Sequence, residues 1–249
     1  MGIGMSNQLA LYCLPCAGAS ATMYLRWKRL LPSWIEVIPV ELPGRGSRLG
    51  ENPQENYRML VNILSREIAL TAQGSYALFG HSMGALLAYG IAQHLHRLKI
   101  RLPDALMVSG CAAPAQQDSQ RYQKICTEAA LIADLGKQGG TPEEVFNNPE
   151  LLAMTLDLLR IDYRVCGSFQ YTKHDPLPVS IHCFGGRSDT IGANNLNLWQ
   201  QEGSRMFTLD WFDGGHFFLR QSEEWFIQVV KKRLLESQEG VMCDIFATA

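Results

Sequence analysis

The chain has 249 residues, 47% of them hydrophobic, and a formal net charge of -2 at pH 7, enough for one large domain with a substantial core. Its Lys and Arg residues are dispersed, so the clustered footprint of a nucleic-acid binder is missing, and no apolar run is long enough to span a bilayer. The N-terminus lacks a basic flank followed by an apolar stretch, so no signal peptide is expected and the protein is placed in the cytoplasm.

Met1-Gly2-Ile3-Gly4-Met5-Ser6 matches a myristoylation pattern; the simpler reading is a second start at Met5 or a short leader. Residues 9–14 form a first apolar strand that ends at Pro15. Cys13-x-x-Cys16 has the spacing of a redox or metal half-site. No second Cys/His pair accompanies it, however, and Cys13 lies inside the strand pattern. Cys13, Cys111, Cys166 and Cys183 therefore read as buried, reduced thiols, and neither a metal nor a cofactor is expected. A short helix closes at 27–31, and residues 35–40 form a second strand. A Gly/Pro-rich loop follows, Leu42-Pro43-Gly44-Arg45-Gly46. Residues 57–70 carry Leu60, Ile63, Leu64 and Ile68 at helical spacing. An apolar strand at 75–79 runs into Gly80-His81-Ser82-Met83-Gly84, and a helical run at 85–92 follows. Further strands are predicted at 105–110, 179–186 and 206–211. A last helix spans 223–235 and ends in Lys231-Lys232-Arg233, charges that suit a helix C-terminus.

Strands apolar throughout, alternating with helices, predict a mostly parallel central sheet covered on both faces. The whole chain, 1–249, reads as a single domain. Residues 115–178 contain no convincing core strand and carry helical patterns, notably at 151–171. This segment is expected to be a helical lid insertion over an active site, the alternative being an ordinary packing extension. A monomer is the default state.

The strand, the Gly80-His81-Ser82-Met83-Gly84 turn and the helix together match the nucleophile elbow of the α/β-hydrolase fold. Glycines flank Ser82 because a side chain at either place is expected to collide with a neighbouring strand or helix. Serine needs a base, and the base needs an orienting carboxylate; in this fold they follow in the order Ser, Asp/Glu, His. Gly185-Gly186-Arg187-Ser188-Asp189 follows one predicted strand and Asp213-Gly214-Gly215-His216 follows the last. Both loops fall at the C-terminal edge of the sheet, where such sites collect. Ser82 is thus assigned as nucleophile, His216 as general base and then acid, and Asp189 as orienter. His81 is expected to pack near the elbow, and His94 and His96 to lie on a helix surface. His174 and His182 precede the acid and are out of order. Asp213 is expected to shape its loop, Asp104 lies at the far edge, and Asp157 and Asp162 sit on the insertion. The oxyanion donors are expected to be the N–H of Met83 and that of Ala17, with Cys16 the second choice for the latter.

Taken in order, several segments resemble the stand-alone type II thioesterases of non-ribosomal peptide and polyketide synthesis. Leu14-Pro15-Cys16-Ala17-Gly18-Ala19-Ser20 is similar to the family's Pro-x-Ala-Gly-Gly loop, and Leu42-Pro43-Gly44-Arg45-Gly46 to its Leu-Pro-Gly-Arg-Gly segment. Leu158-Leu159-Arg160-Ile161-Asp162 resembles its Leu-Arg-Ala-Asp lid motif; the elbow and the acid and base loops also match. Ala19 replaces a usual Gly, and Ile161 a usual Ala. The resemblance implies hydrolysis of acyl groups from the phosphopantetheine thiol of carrier proteins. Met154, Leu159 and Ile161, with Leu151, Leu152 and Leu156, are then expected to line an acyl chamber under the lid. Arg45 and Arg48 are candidates to meet the arm's phosphate or an acidic carrier helix, the alternative being solvated loop arginines. Rival readings are a small-molecule carboxylesterase or acyltransferase, and a non-catalytic receptor on the same fold. A terminal thioesterase domain excised from a synthase is disfavoured, because no linker-like extension is seen.

Overall fold

The computed structural model describes residues 8–247, with side chains through residue 239. The myristoylation pattern at 1–6 lies outside the described residues. Six strands form one sheet: β1 (Leu9–Leu14), β2 (Ile35–Pro39), β3 (Tyr76–His81), β4 (Ala105–Ser109), β5 (Ser180–Gly186) and β6 (Phe207–Phe212). Their order is β2-β1-β3-β4-β5-β6 and every neighbouring pair is parallel.

The period of two along each strand sorts side chains onto two cores. Leu11, Ala77, Phe79, Met107 and Phe184 join one cluster, with Trp27 and Phe226. Tyr12, Leu78, Leu106, Val108 and Cys183 join the other. Both sets are buried, which is why the inner strands read as unbroken apolar runs. Helices α1 (Trp27–Leu30) and α10 (Glu223–Ala247) cover the first face. Helices α2 (Tyr57–Thr71) and α3 (Met83–Arg97) cover the second. Two short helices, α8 (Ala193–Asn197) and α9 (Phe218–Gln221), follow β5 and β6.

Between β4 and β5 lie α4 (Ser119–Lys124), α5 (Glu128–Gln138), α6 (Glu143–Asn147) and α7 (Pro149–Gly167). Helix α7 starts where Asn148 accepts hydrogen bonds from the N–H groups of Glu150 and Leu151 and Pro149 occupies the first turn, an N-terminus built from a capping side chain and a proline that needs no partner. Leu131 and Leu135 of α5 pack against Leu156, Leu159 and Tyr163 of α7, giving the insertion a small core of its own.

The last helix departs from expectation. It continues past 235 to Ala247, so Lys231-Lys232-Arg233 sits inside it. Arg233 uses its charge sideways, on Asp210 of β6 at 2.7 Å and Glu236 at 2.7 Å. A basic turn is thus equally at home in mid-helix when it has lateral partners. His182 is likewise structural: it is buried in β5 between Thr208 and Ser237, and burial holds its imidazole down at about 4. No helix among the described residues is long and apolar enough to cross a membrane.

Candidate active site

Ser82 sits between the end of β3 and the start of α3 at φ 55°, ψ −118°, a conformation sparsely populated by non-glycine residues. The surroundings enforce it. A Cβ on Gly80 would lie 2.1 Å from the carbonyl of Gly84, and one on Gly84 would lie 2.2 Å from the carbonyl oxygen of Leu14 in β1. Both glycines are therefore required by close backbone approach. The Ser82 N–H is bonded to the Ser109 carbonyl at the end of β4, which ties the turn to the sheet.

The loops that carry Asp189 and His216 are stitched together beside this elbow. Ser188 N–H donates to the Gly214 carbonyl, and Arg187 N–H to that of Phe212. A Cβ on Gly186 would meet the Gly215 carbonyl at 2.5 Å, so this loop pair closes only over a glycine. Across the junction His216 Nδ1 and Asp189 Oδ2 are 2.9 Å apart, with the carboxylate side chain 3% exposed and the imidazole 12%. Asp213 instead reaches Arg187 at 3.2 Å with 92% of its side chain exposed, a solvent-facing loop contact. His81 is buried, with Nδ1 3.0 Å from Ser109 Oγ and its ring 5.0 Å from that of His216. Burial first, and the neighbouring His216 second, depress its protonation well below the usual histidine range. His81 is thus an uncharged packing partner. His94 is half-buried and His96 exposed on α3. His174 bonds to Tyr89 and Gln93 on the far side of α3.

Ser82, Met83, Asp189 and His216 all line one cavity of about 710 Å³, together with Ala17 and Leu86. The insertion contributes Tyr122 and Ile125, and Tyr163 and Cys166 of α7. A larger groove of about 980 Å³, between α2, α3 and residues 169–175, contains none of Ser82, Asp189 and His216. Of the two, the smaller is the one that brings Ser82, Asp189 and His216 together.

In the loop after β1, Gly18 stands at φ +74°. Its N–H donates to Asp162 Oδ2 at 2.7 Å, and Ala19 N–H donates to the Cys16 carbonyl at 3.2 Å. Neither bond uses the N–H of Ala17. Cys13 and Cys16 are free and buried, and burial raises the Cys16 thiol to about 12, which leaves it protonated and weakly nucleophilic at neutral pH.

Three expectations need correction. Met154, Leu159 and Ile161 are not among the residues lining the Ser82 cavity. Met154 is 66% exposed, Ile161 is half-buried, and Leu159 is spent on the insertion's own core. Of α7, it is the Tyr163–Cys166 portion that reaches the cavity. Second, Arg45 is neither a solvated arginine nor a free phosphate ligand. Its guanidinium is 3% exposed and pairs with Asp162, 1% exposed. Two bonds of 2.6 and 2.7 Å join them, and a third of 2.9 Å runs from Arg45 to the Ala19 carbonyl. Third, Arg48 is committed to Glu51 at 2.6 Å and Glu67 at 2.9 Å. The pairing of Arg45 with Asp162 does not follow from either sequence motif. Its one signal is a charge at 162 on the same helical face as Leu159, Tyr163 and Cys166, a position that is buried only with a partner.

Comparison with known proteins agrees with this architecture. The Thioesterase domain family matches residues 10–234. Gramicidin S biosynthesis protein GrsT of Aneurinibacillus migulanus is 33% identical over 93% of this chain and 91% of its own. The type II thioesterase BorB from the borrelidin biosynthetic cluster matches with a TM-score of 0.82 and 34% identity, over 91% of this chain and 92% of BorB. RedJ, a thioesterase from the prodiginine pathway of Streptomyces coelicolor, gives 0.84 and 30%, over 90% of each chain. The architecture they share is the α/β-hydrolase fold.

Proposed function

This chain belongs to the thioesterase domain family, and we propose that it hydrolyses acyl groups from the phosphopantetheine thiol of carrier proteins in non-ribosomal peptide or polyketide assembly. The observation that carries the reading is the strained Ser82 at a strand-to-helix elbow, on one cavity with a 2.9 Å His216–Asp189 pair. The relatives in peptide and polyketide biosynthesis support the substrate class.

In this reading Asp189 accepts from His216 Nδ1–H and leaves Nε2 as the base. Ser82 Oγ gives its proton to Nε2 and attacks the thioester carbonyl. The oxyanion meets the N–H groups of Met83 and Ala17. Collapse breaks the C–S bond, His216 returns the proton to the departing thiolate sulfur, and the acyl group stays on Ser82. Water, deprotonated by the same imidazole, then attacks the acyl ester; the ester C–O bond breaks, the imidazolium returns the proton to Ser82 Oγ, and the acid is released. Cys111 lines the cavity but does not compete as a nucleophile, because burial raises its thiol to about 12. The acyl chain lies against Leu86, Tyr122, Ile125, Tyr163 and Ile191, and the helices from α4 to α7 act as the lid. A carrier-borne substrate requires that lid to move, a gating step of the μs–ms class.

The test is to offer one acyl chain on a carrier protein and as its p-nitrophenyl ester. The expected result is a kcat/KM at least about tenfold higher for the carrier-borne thioester, reflecting binding energy from the protein partner. A free ester hydrolysed as well or better moves the function to a small-molecule esterase.

A further inference from the structure

Three segments that are distant in sequence meet at one buried ion pair. Arg45 comes from the loop after β2, Asp162 from α7, and Gly18 and Ala19 from the loop after β1 that carries Ala17. Asp162 Oδ2 accepts both from Gly18 N–H and from Arg45 Nη1, each at 2.7 Å. Arg45 Nη1 also donates to the Ala19 carbonyl. The backbone is therefore held at the Ala17–Gly18 peptide, through its N–H, and again at the Ala19 carbonyl. Packing works in the same sense. Ala17 rests against the core of the insertion, and a Cβ on Gly18 would touch Leu159 at 3.4 Å. The chain pays for burying two charges here, although a short polar loop could have been capped by water.

We propose that Asp162 and Arg45 are positioning residues for catalysis: they latch the oxyanion loop to α7, so that the second oxyanion donor is in place only when the lid helix is seated. The latch rests on the reading of Ser82 as nucleophile and Ala17 N–H as donor. Its consequence is that lid closure and transition-state stabilisation are one event. With α7 displaced, Gly18 N–H loses its acceptor, Arg45 loses its carboxylate, and the loop is free to turn the Ala17 N–H away. Hydrolysis is thereby restricted to the state in which the acyl chain is enclosed.

The decisive variant is Arg45→Met with Asp162→Leu. Replacing a buried pair with apolar groups of similar size is often neutral for stability, whereas removing one partner strands a buried charge. The double variant is expected to keep a near-native Tm and to lower kcat by about 10- to 100-fold, with KM within about threefold, as expected for a misplaced oxyanion donor. An inhibitor that forms a tetrahedral adduct on serine, an alkyl trifluoromethyl ketone, should lose affinity by a similar factor. Arg45→Met with Asp162→Asn restores an oxygen for Gly18 N–H and is expected to recover part of kcat. In the wild type, the Gly18 amide should exchange with deuterium at least about 10³-fold more slowly than an unstructured amide, a measurement independent of whether any variant folds. A folded double variant with wild-type kcat, or a Gly18 amide exchanging at the unstructured rate, overturns the latch. Ser82→Ala is run beside them: turnover retained there overturns the nucleophile reading itself, whereas an inactive Ser82→Ala beside a fully active double variant overturns the latch alone.

Discussion

Ser82→Ala is expected to lower thioester hydrolysis by about 10⁴- to 10⁶-fold, because the nucleophile acts as a unit with its base and its loss removes the covalent route altogether. The fold should be unaffected. The strain at φ 55° is imposed by Gly80, Gly84 and the bond to Ser109, none of which uses the hydroxyl. Circular dichroism and Tm should therefore match the wild type while turnover, measured with an acyl thioester and a thiol-reactive dye, disappears. Turnover within tenfold of the wild type sinks the assignment of this cavity as the active site.

Asp189→Asn is expected to cost about 10⁴-fold in kcat, since an amide that donates to Nδ1 selects the wrong imidazole tautomer. Asp213→Asn, only three residues from His216, is expected to stay within about threefold of the wild type, because its contact with Arg187 is exposed and such pairs contribute little. Proximity in sequence favours Asp213, whereas geometry favours Asp189. Measuring kcat/KM for both variants on one substrate separates the two, and a larger loss at Asp213 would transfer the orienting role to it.

Much of this layout is legible in the sequence, and the parts that are not share a physical cause. Strands β1, β3, β4 and β5 stand out because both of their faces are buried, leaving unbroken apolar runs. The elbow and the two glycine-rich loops stand out because close backbone contacts there leave room only for glycine at Gly84 and Gly186. Local rules suffice for such features. What local rules miss is which distant surface a side chain meets. Arg45 and Asp162 lie in separate motifs, and nothing in their spacing shows a bidentate pair. Met154 fits the apolar periodicity of α7 yet faces solvent, because the insertion turns a narrower stripe of that helix inward, through Leu156, Leu159 and Tyr163. Helix α10 runs beyond its basic turn, and Arg233 within that turn finds its partner in Asp210, a neighbour contributed by the sheet.

The central claim is that an acyl group passes from a carrier thiol to Ser82 and then to water. The most direct measurement is rapid-quench mass spectrometry of the enzyme mixed with a stoichiometric acyl-phosphopantetheinyl carrier protein. The account predicts a transient enzyme species heavier by one acyl group, the added mass lying on the peptide that contains Ser82, appearing as the carrier loses its acyl group and decaying as free acid forms. Acid released with the acyl mass never on Ser82, or found on another residue, would contradict it.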